Sequence, residues 1–111
     1  MATLSSHLLN SVNGTHACGV KVIINQINSS GEKVIFFESE TDNGGRILKD
    51  FDLSKDDCNS DYEMVCKTAD YFSEKKIVSE IIIKFRMEDP KKKYHLPIII
   101  SPNGYSIWWS Q

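Results

Sequence analysis

The sequence predicts an all-β fold, a two-sheet antiparallel sandwich of seven or eight strands with one short helix. Residues 77–87 carry the clearest signal: Ile81, Ile83, Phe85 and Met87 alternate with Ile82, Lys84 and Arg86, the period-two pattern of a strand with one wet face. Short apolar runs recur between turn clusters such as Asp42-Asn-Gly-Gly45 and Pro102-Asn-Gly104. With 111 residues, 41% hydrophobic and 25% charged, the chain has the bulk of a single domain, residues 1–111. A core of that size leaves room for other copies to help bury surface.

The elements follow in order. Leu4-Ser-Ser-His-Leu-Leu-Asn10 forms a first strand on which His7 faces either in or out. Residues 19–27 set Val20, Val22 and Ile24 against Lys21 and Asn25, and branched side chains of this kind suit a pleated surface. The turn at 29–32 and the strand at 33–40 complete a hairpin. Asp42-Asn-Gly-Gly45 breaks the chain, so Arg46 stands just past a tight turn, at the head of a short extended piece over 46–49. Residues 50–61 are polar and loop-like, and 62–66 make another strand. Residues 68–76 make one or two helical turns with Thr68 as N-cap and lysines near the end. After the strand at 77–87, Lys91–Lys93 belong to a solvated loop rather than a phosphate site. Residues 94–100 are nearly all apolar, as in a strand buried on both faces, and a last strand runs to Trp108-Trp109.

Composition narrows the function. A net charge of -2 argues against a general polyanion binder, so no nucleic-acid partner is expected. No stretch is long enough to span a bilayer, and the amino terminus lacks a basic segment followed by an apolar one, so neither membrane nor secretion is expected. The expected compartment is the cytoplasm, with the peroxisome left open. Cys18, Cys58 and Cys66 form no even set and no C-x-x-C pair, which favours reduced thiols. Nucleophile-elbow, phosphate-loop and zinc-binding spacings are all missing, so no metal and no cofactor is expected.

That leaves the histidines. A lone histidine is by default a hydrogen-bonded or solvent-facing side chain. His16, in an Asn-Gly-Thr-His loop, is expected to be merely exposed. His95 differs, because a polar group inside an apolar strand must find a partner or line a wet cavity.

Taken together, Leu4-Ser-Ser-His7, the Asp42-Asn-Gly-Gly-Arg46 turn, here lengthened or shifted by a glycine, and Tyr94-His-Leu-Pro with Ser101-Pro-Asn-Gly-Tyr-Ser106 resemble the transthyretin and 5-hydroxyisourate hydrolase family from end to end. The resemblance implies a sandwich of two four-stranded sheets, assembled through dimers into a homotetramer. It also implies a channel through the interface between the two dimers that takes a small-molecule substrate. In the hydrolases the cyclic amide of 5-hydroxyisourate is opened there, a step of urate degradation, by residues that correspond to His7, Arg46 and His95. Imidazole suits deprotonation of water near neutral pH, and a guanidinium suits a developing oxyanion.

A terminal Tyr-Arg-Gly-Ser completes the hydrolase pattern, and here Trp108, Trp109, Ser110 and Gln111 replace it. On the enzymatic reading these four contact substrate, with an indole stacked on its flat ring. The alternatives are a member acting on a different substrate, or one that binds a small planar ligand without hydrolysis. Packing of the tryptophans in a subunit interface is compatible with each.

Overall fold

The structure, a computed structural model, describes residues 1–72 and 77–109. Among the described residues nine strands form: β1 (Ala2–Asn10), β2 (Thr15–His16), β3 (Lys21–Ile27), β4 (Lys33–Glu40), β5 (Arg46–Phe51), β6 (Asp61–Cys66), β7 (Ile81–Arg86), β8 (Lys93–Ser101) and β9 (Gly104–Ile107). Two one-turn helices accompany them, α1 (Lys55–Cys58) and α2 (Thr68–Tyr71).

One sheet is ordered β4-β3-β6-β7 and is antiparallel throughout. In the other, β1 lies between β8 on one side and both β5 and β2 on the other, and β9 extends the sheet beyond β8. The β1–β8 pair is parallel, the one departure from the antiparallel pattern among the described residues. The alternation in β1 explains the layering. Ala2, Leu4, Ser6, Leu8 and Asn10 are buried, whereas Thr3, Ser5, His7 and Leu9 turn to the outer face. Leu4, Leu8, Ile98 and Ile100 meet Val22, Ile24, Tyr62 and Met64 of the opposite sheet in one core. Each Leu or Ile fully buried there contributes about 1.5–3 kcal/mol.

Several boundaries differ from the expectations, each for a local reason. The expected loop at 50–61 begins as strand, because β5 pairs with β1 from Ala2↔Phe51 to His7↔Arg46. It also holds α1, a second helix, closed by a capping box: Ser54 Oγ accepts from Asp57 N (3.1 Å) and Asp57 Oδ2 accepts from Ser54 N (2.9 Å). Thr68 is the first residue of α2 rather than its cap, which is Lys67. Lys75 and Lys76, expected at the end of that helix, lie outside the described residues. Strand β7 starts at Ile81 and not Ile77. The backbone before it is diverted: Ile77 N donates to Asn103 Oδ1 (2.7 Å), and Ser79 O accepts from Ala69 N. Strand β9 stops at Ile107, short of the tryptophans.

Candidate active site

Strand register assembles the site. His7 faces Arg46 across the β1–β5 ladder, and Ser5 faces Leu48. On the other side of β1, Ser5 faces His95. His7, Arg46 and His95 therefore share the outer face of one sheet, and Ser5 Oγ stands 2.8 Å from Nδ1 of His95. The polar atom in the apolar strand has its partner. A depression of about 380 Å³ opens on this face, with Ser5, Asp42, Arg46, Leu48 and His95 in its lining.

The turn that delivers Arg46 is held by the Asp42 carboxylate. Its Oδ1 accepts from Gly44 N and Arg46 N, each at 2.9 Å. Those two bonds, that of Arg46 first, keep the Asp42 carboxyl below the usual carboxylate range. Thr41, buried at the start of the turn, donates to the Ala17 carbonyl (2.6 Å) and accepts from Val20 N (2.9 Å). Gly45 has a positive φ of 72° and its carbonyl accepts from Leu8 N (2.8 Å), which clamps the turn to β1. A Cβ at Gly45 would lie 2.4 Å from the Leu8 carbonyl oxygen, so glycine is required by space as well as by φ.

His7 has a further neighbour in His16, a residue expected to be merely exposed. His16 is exposed, but it is not merely exposed: its Nδ1 lies 2.9 Å from Nε2 of His7, with the ring centroids 5.0 Å apart. A signal for it was present. Asn13-Gly14 is a turn pair, and folding the chain back there sets His16 opposite Leu9, on the face that His7 shares. Burial first, then the Arg46 guanidinium and His16, lower the pKa of His7 from 6.5; a hydrogen bond to the Gly44 backbone opposes them, and His95 adds to the lowering. A neutral imidazole beside a fixed cation can take a proton from water near neutral pH.

Neither tryptophan lines the depression in the single chain. Trp108 N donates to the Pro97 carbonyl (3.4 Å), and its side chain is half exposed. The Trp109 ring packs on Tyr94 (centroids 5.8 Å apart) under the Lys92 ammonium (5.3 Å from its centroid). Tyr94 is buried and His95 is not, so Trp109 engages the strand neighbour of the histidine rather than the histidine itself. Ser110 and Gln111, the other two expected substrate contacts, lie outside the described residues. Among the described residues, no three His, Cys, Asp or Glu side chains converge as a metal site, and no helix is long and apolar enough to cross a membrane.

Comparison with known proteins gives this arrangement a context. A 5-hydroxyisourate hydrolase of Salmonella dublin is 33% identical over 108 residues, covering 95% of this chain and 78% of that protein. The structure of a Klebsiella pneumoniae 5-hydroxyisourate hydrolase superposes with a TM-score of 0.80 at 27% identity over the whole of both chains. Transthyretin from Sparus aurata superposes with a TM-score of 0.85 over 96% of this chain and 95% of its own, and at 20% identity that likeness concerns the fold alone. The model of the HIUase/Transthyretin family matches residues 4–109. With relatives of both kinds sharing its sandwich, the chain belongs to the HIUase/Transthyretin family.

Proposed function

We propose that this protein is a hydrolase that opens the cyclic amide of 5-hydroxyisourate, a step of purine breakdown, in the cytoplasm. The observation that carries the reading is the placement of His7, Arg46 and His95 on one outer face, in register through Ser5. His7, kept unprotonated by burial and by Arg46, belongs to the base that takes a proton from water. The water oxygen bonds to the amide carbonyl carbon, and the Arg46 guanidinium receives the resulting oxyanion. The ring C–N bond then breaks, and His95, aligned by its contact with Ser5, supplies the proton to the departing nitrogen. Hydrolases named for this substrate among its relatives support the assignment.

The depression is open to one side, and a second copy laid over that face would enclose it. A homotetramer with the site at the subunit interface fits this shape. Trp108, Ser110 and Gln111 would then meet substrate from the rim, with Trp109 held on Tyr94 behind them. The second reading is a member turned to another ring or to plain binding, and the replaced terminus is the feature that favours it.

Arg46→Ala separates the readings when kcat/KM is measured on 5-hydroxyisourate beside a variant with Tyr-Arg-Gly-Ser at 108–111. Loss of an oxyanion partner costs on the order of 10²–10³-fold. An Arg46→Ala enzyme as fast as wild type rules out the hydrolytic role. A large gain from the restored terminus says the native one has moved away from this substrate.

A further inference from the structure

The catalytic reading leaves His16 without a task, although one of its nitrogens faces His7. Nε2 of His7 is engaged by His16, and the Gly44 backbone, whose N–H is already donated to Asp42 Oδ1, acts on the ring through its carbonyl. Nε2 faces His16 Nδ1 at 2.9 Å, so the hydrogen bond to the Gly44 backbone falls to Nδ1. A backbone bond that favours the protonated imidazole is one that its N–H donates, here to the Gly44 carbonyl. That fixes the tautomers in sequence. With its proton on Nδ1, neutral His7 offers Nε2 as an acceptor, and His16 must donate from Nδ1. Nε2 of His16 is then unprotonated, on a side chain exposed at the face the site occupies.

We propose that His7 and His16 act as one base, in which Nε2 of His16 is the atom that accepts the proton from water and His7 orients and supports it. The step balances simply. A water O–H bond breaks, its proton bonds to Nε2 of His16, and the remaining hydroxide attacks the carbonyl. The positive charge is shared along the Nδ1–H···Nε2 bond to His7, and no further proton moves. This arrangement suits the charges around it. Arg46 on β5, directly across from His7, and His95 on β8 oppose a full positive charge on His7, whereas Asp42 in the turn favours one. The exposed partner can carry that charge in contact with water.

Two further features hold the pair. Strand β2, two residues long, sets His16 opposite Leu9, which brings it beside His7 along the same edge of β1 that β5 occupies up to Arg46. Ala17 N donates to the Leu8 carbonyl (2.9 Å) immediately after it. Gly45 is the spacer between the two strands: a Cβ there would sit 3.3 Å from the Cβ of His16.

The use of this base rests on the hydrolase reading, but the tautomers do not, so the test has two arms. The first is a 15N-detected titration of the histidine rings in the full-length protein, without substrate. It should show unprotonated Nε2 on both His7 and His16 at neutral pH, and one shared ionisation on acidification. Nε2–H on His16, or two independent ionisations, overturns the proposal whatever the enzyme's activity. The second arm is kcat/KM on 5-hydroxyisourate for His16→Asn and His16→Phe. Asparagine can place an amide N–H near the position of Nδ1 but has no base, and phenylalanine keeps the ring without either function. Both should lose about 10²–10⁴-fold, the usual worth of a general base, with folding and assembly intact. Retained or increased rate in either variant overturns it. If the wild-type protein does not turn over 5-hydroxyisourate at all, the hydrolase reading fails while the first arm still decides the tautomers.

Discussion

Gly45→Ala is the substitution whose cost can be worked most directly from the fold. The residue has φ of 72°, and an alanine in the left-handed region costs roughly 1–2 kcal/mol. Its Cβ would begin 2.4 Å from the Leu8 carbonyl oxygen and 3.1 Å from Ala17 N. Both are backbone atoms that no rotamer change can move. The turn must therefore retreat by roughly half an ångström or more, which stretches the 2.8 Å bond from Leu8 N to the Gly45 carbonyl and forfeits about 1 kcal/mol. The total is roughly 2–3 kcal/mol, or a drop in Tm of roughly 8–12 °C at about 4 °C per kcal/mol for a domain of this size. Arg46 is the next residue, so the same retreat pulls it out of register with His7. A misplacement approaching 1 Å costs on the order of 10²-fold in turnover. Gly44→Ala is the control, because its Cβ meets only Asp42 Oδ1, at 3.4 Å, and should change stability by no more than about 0.5 kcal/mol. Denaturant unfolding of both variants is the assay. A Gly45→Ala protein within about 1 kcal/mol of wild type would refute the reasoning about the clamp.

Two further outcomes follow from protonation states. Because the Arg46 guanidinium is among the causes that lower the pKa of His7 from 6.5, and His7 and His16 ionise as one base, Arg46→Ala should move the acid limb of any residual kcat/KM to higher pH. The same shift makes the folded state bind fewer protons than the unfolded one between the lowered pKa and 6.5, so His7 adds a stability that rises with pH across that window. An acid limb that does not move to higher pH in Arg46→Ala, or a stability that does not rise with pH just below 6.5, contradicts this. Cys66, buried and with its thiol pushed up to about 12 by that burial, should resist alkylation at pH 8 until the protein unfolds, while exposed Cys18 reacts at once. Labelling followed by peptide mass mapping checks it, and equal rates at the two sites would show that the core opens freely.

Much of the fold was legible because period-two patterning is a local property. The alternation of 81–87, the apolar run of 94–100 and the hairpin of 19–40 each announce a strand without reference to partners. What escaped depends on pairing across long separations. The strand character of Asp50 and Phe51 comes from β1, almost fifty residues earlier, and not from their own polar surroundings. Ile77–Glu80 looks like strand by composition, but hydrogen bonds to Asn103 and Ala69 claim its backbone. The site divides in the same way. His7, Arg46 and His95 carry recognisable motifs around them, whereas Ser5 and His16 matter only through register: one stands opposite His95, and the other is folded back onto the edge of β1 by a turn of a few residues. Trp109 is expected at the substrate only through its correspondence with the terminal Tyr-Arg-Gly-Ser of the hydrolases. In the single chain its ring caps Tyr94, an aromatic contact that no spacing rule between residues 94 and 109 would suggest.

The most direct test of the central claim is the decay of freshly generated 5-hydroxyisourate, followed by ultraviolet absorbance, with the native protein and with His95→Ala shown to be folded. The account predicts marked acceleration by the native protein and a loss of orders of magnitude in the variant, since His95 supplies the proton on which C–N cleavage depends. No acceleration by a folded native protein, or equal acceleration by His95→Ala, would contradict it.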